Sequence, residues 1–258
     1  MASPVKAKKH LGQHFLTDLN IAQKIVNALP QDDLTIVEIG PGTGVLTQYL
    51  IDKPNFTAFD IDQESIDFLK EKYPQHQQKI QYQDFLEADL TPFANNGNFK
   101  VIGNFPYNIS TQIMFKVLDH RADVSALVGM FQKEVAVRIA EKPGTKAYGI
   151  LSVLLQAFYK IEYLFTVHEH VFNPPPKVKS AVIRLTRNTT DKLACDEDLF
   201  FKTVKASFNQ RRKTVRNSIK LLGIKQTFES PLLDKRAEQL SVAQFVELTN
   251  ALDVARKS

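Results

Sequence analysis

The feature that most restricts what this chain can fold into is a strand pattern, a glycine-rich loop and a helix pattern in direct succession. Residues 34 to 39 are mostly apolar, residues 40 to 44 read Gly-Pro-Gly-Thr-Gly, and residues 45 to 53 have helical spacing. Similar patterns alternate along the chain as far as residue 185. Because crossovers between parallel strands are right-handed, this alternation predicts an α/β fold with a mainly parallel sheet and helices on both faces.

The glycine loop predicts a ligand site at the end of its strand. Gly40 and Gly42 let a ligand approach the backbone closely, and the start of a helix offers unpaired N–H groups to polar or anionic atoms. A second strand pattern ends at Asp60, 20 residues after Gly40, where a carboxylate can accept both hydroxyls of a ribose. The dinucleotide fingerprint needs a third glycine at position 45, and this chain has Val45 there. The pattern therefore favours S-adenosylmethionine over a nicotinamide dinucleotide.

A third strand pattern, residues 79 to 82, leads into Asp84 and Phe85. The carboxylate can accept a hydrogen bond from an adenine amino group, and the aromatic ring can cover the base. The alternative is an ordinary aspartate in a turn or at a helix cap. Together with the glycine loop and Asp60, the pair provides for the amino acid, ribose and adenine parts of the cofactor.

Residues 103 to 110, Gly-Asn-Phe-Pro-Tyr-Asn-Ile-Ser, form the segment where we expect the chemistry. They follow an apolar strand pattern and precede a helix pattern, so they lie in a loop where α/β sheets bind ligands. Asn104 offers an amide oxygen, Pro106 fixes the backbone and removes a donor, and Tyr107 offers a flat aromatic face. Acceptors beside a stacking ring suit the amino group of a flat base. The alternative is a β-turn with a packed tyrosine.

Length and composition limit the class of protein. The 258 residues suffice for one large α/β domain and a small appendage, and no run of about 18 apolar residues predicts a membrane span. The single Cys195 cannot form an internal disulfide, and the start of the chain lacks the apolar core of a signal peptide. We therefore expect a cytoplasmic protein. No His and Cys cluster has the spacing of metal ligands, so no metal is expected.

The charge of the chain points to a polyanionic partner. The net charge is +5, and residues 201 to 220 contain basic residues but no acids. One-sided charge suits a phosphate backbone, whereas a solvated helix face would usually mix signs. The expected phosphate contacts include a pair, Arg212 and Arg216, on one helix face at i and i+4. The full set is Arg211, Arg212, Lys213 and Arg216.

Two domains are expected. Residues 1 to 188 carry the strand and helix alternation, and residues 189 to 258 have helical spacing with no strand signal, which predicts a small all-α C-terminal domain for nucleic acid binding. Lysines in the first nine residues predict a mobile basic arm. A rigid proline-rich loop over 173 to 177 follows Phe172, which it could hold against a base, and a core phenylalanine is the alternative.

With these motifs in order, the chain resembles the bacterial ribosomal RNA small-subunit adenine dimethyltransferases, the KsgA (RsmA) family, over nearly its whole length. The motifs are GQHFL at 12 to 16, EIGPGTGVLT at 38 to 47, QDF at 83 to 85, GNFPYNIS at 103 to 110, QKEVAVRI at 132 to 139, KAYGILSVLLQ at 146 to 156, FNPPPKVKSAV at 172 to 182 and RRKT at 211 to 214. The resemblance implies a Rossmann-like class I S-adenosylmethionine-dependent methyltransferase sheet. It also implies dimethylation at N6 of each of two adjacent adenosines, in a hairpin near the 3′ end of 16S rRNA.

The resemblance assigns roles to individual residues. Asn104 and a carbonyl at Phe105 or Pro106 would accept the N6 hydrogens, Tyr107 would stack on the base, and Phe172 is a candidate for the other face. The implied cofactor contacts are His14, Leu16, Gly40, Asp60, Asp84 and Asn104.

Two positions depart from what is common in the family. Asp60 stands in place of glutamate, which changes the geometry of the ribose bond but not its role. Phe105 stands in place of leucine and should be tolerated because its side chain can face the core. The implied partner is 16S rRNA or a small-subunit assembly intermediate, and the protein is expected to act as a monomer.

Three other functions use similar features. Erm-type 23S rRNA adenine N6-methyltransferases have the same core and differ mainly in the C-terminal region and the KAYG and PPPKV segments. A non-enzymatic RNA-binding or transcription factor is disfavoured by intact Asn104 and Tyr107. A nucleotide-linked dehydrogenase is disfavoured by Val45 and by the Asn-Phe-Pro-Tyr loop.

Overall fold

The computed structural model describes residues 5–94, 97–224 and 228–257 and divides into two compact units. The first unit consists of Met1–Ala136 and Glu162–Arg187, and the second of Val137–Ile161 and Asn188–Ser258. Residues 137 to 161, which carry the KAYGILSVLLQ motif, therefore group with the C-terminal part of the chain. The domain boundary expected after residue 188 stays a prediction.

The strands confirm the predicted mainly parallel sheet. They are β1 (Phe15–Leu16), β2 (Thr35–Ile39), β3 (Phe56–Asp60), β4 (Ile80–Tyr82), β5 (Phe99–Asn104), β6 (Val124–Gln132), β7 (Tyr159–Val167), β8 (Phe172–Asn173) and β9 (Ser180–Arg187). Seven of them form one sheet in the order β4-β3-β2-β5-β6-β9-β7, and β1 pairs antiparallel with β8. Each neighbouring pair from β4 to β6 is parallel, whereas β9 is antiparallel to β6.

The helices lie between the strands and in the C-terminal part of the chain. They are α1 (Leu19–Asn27), α2 (Gln63–Lys72), α3 (Thr91–Ala94), α4 (Ser110–Asp119), α5 (Lys133–Ala140), α6 (Ile150–Gln156), α7 (Glu197–Asn209), α8 (Val215–Ser218) and α9 (Val242–Lys257). Asp18 caps α1 by accepting from the backbone N–H groups of Asn20 and Ile21, as Asp does at helix starts. Within the described residues, no helix is long and apolar enough to cross a bilayer.

Parallel pairing brings the predicted site residues to one edge of the sheet. Gly40 follows β2, Asp60 ends β3, Asp84 follows β4 and Asn104 ends β5. Because β9 runs antiparallel to β6, its first residue, Ser180, lies at the same edge. This is the carboxyl edge of the parallel strands, where α/β sheets bind ligands.

The Phe105 side chain faces the core, as predicted. It is 1% exposed and meets the Phe131 ring edge to face, with centroids 5.1 Å apart. Gly103 leaves room for it, because a Cβ on Gly103 would lie 2.6 Å from the Phe105 ring and 2.6 Å from the Ile39 carbonyl oxygen. Gly129 on β6 leaves room on the other side of the same ring. The larger side chain is therefore accommodated by two glycines in neighbouring strands.

The prediction of a regular helix over residues 45 to 53 is wrong. The chain forms turns around a short 3₁₀ helix, Thr47–Tyr49. Bonds to the third residue, such as Leu50 N to Thr47 O at 2.9 Å, mix with bonds to the fourth, such as Gln48 N to Gly44 O at 3.1 Å. Tertiary packing explains the tightening, because Leu46, Leu50 and Ile51 are buried and the Thr47 hydroxyl donates to the buried Glu38.

The predicted mobile arm is also wrong for residues 5 to 9, while residues 1 to 4 lie outside the described part of the chain. Val5 is fully buried, and the Lys8 ammonium pairs with Asp62 and, at 3.4 Å, with Glu64. The Lys6 backbone N–H also donates to Glu64 at 3.0 Å. Acids at the start of α2 supply the partners, which a count of local lysines could not reveal.

The second unit has an aromatic core between its helices. Tyr148 before α6, Phe208 on α7 and Phe245 on α9 are buried, with ring centroids about 6 Å apart, 6.2 Å for the first pair and 6.0 Å for the second. Within residues 189 to 224 and 228 to 257 the structure has helices, turns and an isolated bridge between Thr214 and Arg236, and no strand. The predicted helical character of this region agrees with these elements.

Candidate active site

A cleft that is partly open to solvent lies at the carboxyl edge of the sheet in the first unit. The loops after β2, β3, β4 and β5 line it, together with residues 11 to 15 of the N-terminal segment. Of the predicted site residues, the cleft brings together His14, Gly40, Gly42, Asp60, Asp84, Phe85, Asn104, Pro106 and Tyr107.

The glycine loop is shaped for close approach to the backbone. Gly40 and Gly42 have φ angles of +66° and +54°, which favour glycine. A Cβ on Gly42 would lie 2.8 Å from the Phe15 ring. The Gly42 N–H donates to Asp60 Oδ2 at 3.2 Å, and this hydrogen bond joins the glycine loop to the end of β3.

Asp60 is held as a buried acceptor. Its Oδ1 accepts from the Asp62 backbone N–H at 2.9 Å, and its side chain is largely shielded from solvent. Burial raises the pKa of Asp60, while the bonds from the Asp62 and Gly42 N–H groups oppose the rise. Each carboxylate oxygen has a second lone pair. The group can therefore accept hydrogen bonds from ribose hydroxyls without losing the two backbone bonds that it already has.

Asp84 and Phe85, the residues predicted to hold adenine, both line the cleft. Asp84 Oδ1 accepts from the Leu86 N–H at 2.8 Å, so the side chain also makes the turn that was its alternative role. The Phe85 ring is 3% exposed and lines the cleft, and the Lys116 ammonium lies 5.5 Å from its centroid. A turn that fixes the carboxylate beside a fixed ring is compatible with a base between them.

Asn104 is the last residue of β5, and its side-chain amide is oriented by the N-terminal segment. The Nδ2–H group donates to the His14 carbonyl at 2.9 Å. Because the nitrogen is engaged in this bond, Oδ1 is the part of the amide that can accept from a ligand in the cleft. A strand end and a backbone bond together fix the direction of this acceptor.

Tyr107 is fixed at its ring, its hydroxyl and its backbone. The ring stacks on His14 with centroids 5.4 Å apart and 29° between the planes. The hydroxyl lies 2.5 Å from Ser180 Oγ, and the backbone carbonyl accepts from the Ser110 hydroxyl at 3.1 Å. Burial raises the pKa of the Tyr107 phenol, so the phenol stays neutral near pH 7 and offers a flat ring rather than a base.

The sequence predictions missed a group of contacts around Asp62 that holds the N-terminal segment at the cleft. Asp62 is 1% exposed and pairs with Lys8, while its Oδ2 accepts from the Gln13 side chain at 2.8 Å. Gln13 in turn accepts from the Lys8 backbone N–H at 2.8 Å. Asp62 also caps α2, which is the only role that its position before a helix pattern could have indicated.

Glu38 is a buried acid next to the glycine loop. It is 1% exposed, accepts from the Thr47 hydroxyl at 2.8 Å, and burial raises its pKa to about 8. The nearby Asp60 charge also raises the pKa. Glu38 is therefore protonated at neutral pH in the folded chain.

The structure does not bring Phe172 to the cleft. Its side chain is 4% exposed and belongs to a hydrophobic core cluster that includes its strand partner Leu16. Pairing of β8 with β1 turns the ring inward, which matches the alternative of a core phenylalanine. Leu16 is also buried and lines a small cavity beside the cleft, next to Gly40 and Gly42.

The four predicted phosphate contacts differ in their surroundings in the second unit. The Arg211 guanidinium donates to the carbonyls of Lys146 and Tyr148, at 2.6 and 3.2 Å. The side chains of Arg212 and Lys213 are exposed and have no hydrogen-bond partner within the described residues.

Arg216 is engaged with acids from elsewhere in the sequence. It bonds Glu229 and Asp234, each at 3.1 Å. The predicted i, i+4 pair is wrong, because Arg212 lies in the turn after α7 and Arg216 on α8.

The strand order, the glycine loop and an acid at the end of the next strand define a class I S-adenosylmethionine-dependent methyltransferase. The chain belongs to the ribosomal RNA adenine dimethylase family, whose model matches residues 5–253. The resemblance, the fold class and the cofactor predicted from the sequence are thereby confirmed. So is RNA as the general class of substrate.

Individual relatives are similar to this chain over nearly its whole length. The ribosomal RNA small subunit methyltransferase A of Cytophaga hutchinsonii is 58% identical over 253 residues, 96% of this chain and 98% of the relative. That of Phocaeicola vulgatus is 54% identical over 98% of this chain and 92% of its own length. Among solved structures, a dimethyladenosine transferase from Plasmodium falciparum has a TM-score of 0.74 at 25% identity, covering 95% of this chain and 98% of its own. The 23S rRNA methyltransferase ErmE has a TM-score of 0.65 at 26% identity, covering 93% and 99%.

Proposed function

We propose that this protein methylates N6 of two adjacent adenosines, each twice, in a hairpin near the 3′ end of 16S rRNA during small-subunit biogenesis. The family and the names of its relatives support the small subunit as the source of the RNA. The observation that carries the proposal is that the Asn104 amide and the Tyr107 ring, each held in a fixed orientation, line the same cleft. This pair suits an amino group on a flat base.

The reaction requires orientation of a weak nucleophile. The N6 lone pair of adenine is delocalised into the ring, so the amine attacks well only when its hydrogens are held and its lone pair is aimed. When bound, S-adenosylmethionine would supply an electrophilic methyl group on a sulfonium, with the thioether S-adenosylhomocysteine as the leaving group and one N6 proton released to solvent. Asn104 Oδ1 accepts one N6 hydrogen, and a backbone carbonyl of the loop accepts the other.

The second acceptor is best assigned to Phe105. The Pro106 carbonyl already accepts from the Ile109 N–H at 3.2 Å, whereas the Phe105 backbone N–H is tied to the Met130 carbonyl at 3.2 Å, which fixes the orientation of that residue. Tyr107 stacks on the base and keeps it in the plane of these acceptors. Phe172 is not assigned to the other face of the base, because its buried side chain belongs to the hydrophobic core cluster.

The cofactor is held by the remaining residues of the cleft. Gly40 and Gly42 leave space at the backbone for the amino acid part, Asp60 accepts from the ribose, and Asp84 with Phe85 holds adenine. His14 closes the side formed by the N-terminal segment, and Leu16 lines the small cavity beside Gly40 and Gly42. Within the described residues, no group of three or more His, Cys, Asp or Glu side chains could hold a metal ion.

RNA binding by the C-terminal region rests on Arg212 and Lys213, whose charges are exposed. Arg211 and Arg216 support them less directly, because carbonyls and acids already engage their side chains. We further propose that the protein acts as a monomer on a small-subunit assembly intermediate, in the cytoplasm where bacterial ribosomes assemble.

An Erm-type activity on 23S rRNA is the second candidate, supported by the shared fold of ErmE. Its identity of 26% to this chain is far below the 58% of the small-subunit enzyme of Cytophaga hutchinsonii, which favours the first proposal.

Small subunits from a strain that lacks this modification would test the proposal. Purified protein and S-adenosylmethionine should produce strong primer-extension stops at two adjacent adenosines near the 3′ end of 16S rRNA, and none in 23S rRNA. Stops confined to 23S rRNA would establish the Erm-type reaction instead. Calorimetric titration should detect S-adenosylmethionine but not NAD, and a chelator should leave the activity unchanged.

A further inference from the structure

The proline-rich segment between β8 and β9 is flanked by two contacts to aromatic residues of the cleft, His14 and Tyr107. At its start, the Pro174 carbonyl accepts from Nδ1–H of His14 at 2.8 Å. At its end, Ser180 Oγ lies 2.5 Å from the Tyr107 hydroxyl. The rings of His14 and Tyr107 stack on each other. A continuous series of contacts therefore runs from Pro174 through His14 and Tyr107 to Ser180.

Packing of the sheet does not explain a serine at the start of β9. Ser180 is fully buried, and the next three residues of the strand, Ala181, Val182 and Ile183, are apolar and buried. A buried hydroxyl is costly unless it has a hydrogen-bond partner. Tyr107 supplies that partner at the edge of the cleft, which makes the Ser180 hydroxyl a fixed point for the phenol.

We propose that Ser180 is a positioning residue for the adenine methylation put forward above, and the inference rests on that function. Ser180 holds the phenol end of Tyr107, and His14, itself held by Pro174, covers one face of the ring. The target base then has one face of Tyr107 on which to stack, at a height and tilt that are set before RNA binds. Preorganisation of this kind saves the cost of ordering the ring during the reaction.

The second methyl transfer should depend on the Ser180–Tyr107 hydrogen bond more than the first. After one transfer the amine carries a methyl group and only one hydrogen, so a single hydrogen bond to the acceptors of the loop remains. The placement of the base then depends more on the stacking ring. A loosened Tyr107 should therefore raise the ratio of N6-monomethyladenosine to N6,N6-dimethyladenosine.

A double-mutant cycle on the full-length protein and small subunits tests the proposal. Ser180→Ala and Tyr107→Phe each remove one side of the same hydrogen bond. Each should lower kcat by about 3- to 10-fold with saturating RNA, raise the fraction of monomethylated product, and leave S-adenosylmethionine affinity unchanged. The double variant should be no worse than Tyr107→Phe alone, because the bond is already lost. Independent, multiplied losses would overturn the proposal.

Two controls separate positioning from general damage to the fold. Ser125→Ala removes a serine hydroxyl that bonds the Phe99 carbonyl at the other end of the sheet, and should leave the product ratio unchanged. If Ser180→Ala does not fold, Tyr107→Phe alone decides, since it removes the bond without altering β9. An unchanged product ratio in that variant would refute the role of Ser180. A wild-type protein that modifies no small-subunit adenosine would instead refute the proposed function.

Discussion

The cleft of the first unit and the basic residues of the second unit differ in how their functional side chains are held. In the cleft, Asn104 is bonded to a backbone carbonyl and Tyr107 to a buried hydroxyl. In the second unit, Arg212 and Lys213 extend from a turn with exposed side chains. The difference follows from the tasks, because orientation of a nucleophile depends on fixed geometry, whereas attraction of a phosphate backbone depends mainly on charge.

The largest effect should come from removing the fixed acceptor of the cleft. Asn104→Ala should lower the single-turnover methylation rate by about 100- to 1000-fold, since one hydrogen bond made in the transition state is commonly worth about 3 to 4 kcal/mol. Thermal unfolding and S-adenosylmethionine titration should show a folded protein that still binds its cofactor.

Asn20→Ala is the matched control for this variant. Asn20 is exposed on α1 and lies outside the cleft, so its loss should leave the rate within about twofold of the wild type. A near-normal rate for Asn104→Ala with RNA and cofactor bound would show that orientation of N6 does not depend on this amide.

The same contrast explains which parts of the molecule the sequence predicted. The ends of parallel strands share one edge of a sheet, so Gly40, Asp60, Asp84 and Asn104 could be grouped from strand patterns alone. Asp62 and Ser180 could not, because their roles depend on the N-terminal segment and on the antiparallel placement of β9. Local spacing carries no information about either contact.

The second unit shows the opposite failure. The acid-free run from 201 to 220 predicted free charges, but Glu229 and Asp234 lie beyond the run and fold back onto Arg216. Charge counted over a window cannot identify partners outside that window. Phe172 illustrates a third limit, since a proline-rich neighbour indicates a rigid backbone but not the direction in which the ring points.

The second prediction concerns a buried charge in the first unit. The pKa of Glu38 is about 8 in the folded chain, against 4.5 for an ordinary glutamate. Between these values the folded state retains a proton that the unfolded state has lost, so the free energy of unfolding falls as the pH rises. The loss is absent below the lower value and complete above the higher one.

Glu38→Gln removes this titration while keeping an acceptor for Thr47. From pH 5 to pH 8 the wild type should lose about 3 kcal/mol of stability relative to the variant, measured by urea unfolding. Glu71→Gln, on the exposed side of α2, should follow the wild type across the same range. Parallel pH curves for Glu38→Gln and the wild type would show that burial does not control this group.

The third prediction tests the exposed charges of the second unit. Changing Arg212 and Lys213 together to Ala should flatten the dependence of log affinity for RNA on log salt by about 1.4 to 1.8, which is 0.7 to 0.9 per lost phosphate contact. Filter binding over a range of salt measures the slope. S-adenosylmethionine affinity should stay constant, because no residue of the cleft is altered.

A double variant with the same loss of charge is the control. Lys142→Ala with Lys192→Ala also removes two exposed positive charges from the second unit, but outside the run from 201 to 220. If both double variants reduce the slope equally, net charge and not a defined contact at Arg212 and Lys213 accounts for RNA binding.

The smallest effect should come from Arg216→Ala. Its guanidinium is bonded to Glu229 and Asp234, two largely exposed acids, and these bonds raise the pKa of Arg216. Surface ion pairs of this kind contribute little to stability, so the thermal midpoint should hardly move. Because the local charge is already balanced, the salt slope of RNA binding should change by less than about 0.4, half of one full contact. Glu229→Gln should have the opposite sign, since it releases part of the Arg216 charge for phosphate. A full loss of 0.7 to 0.9 on Arg216→Ala would mean that RNA competes Arg216 away from its acids, and that both halves of the basic run bind the phosphate backbone.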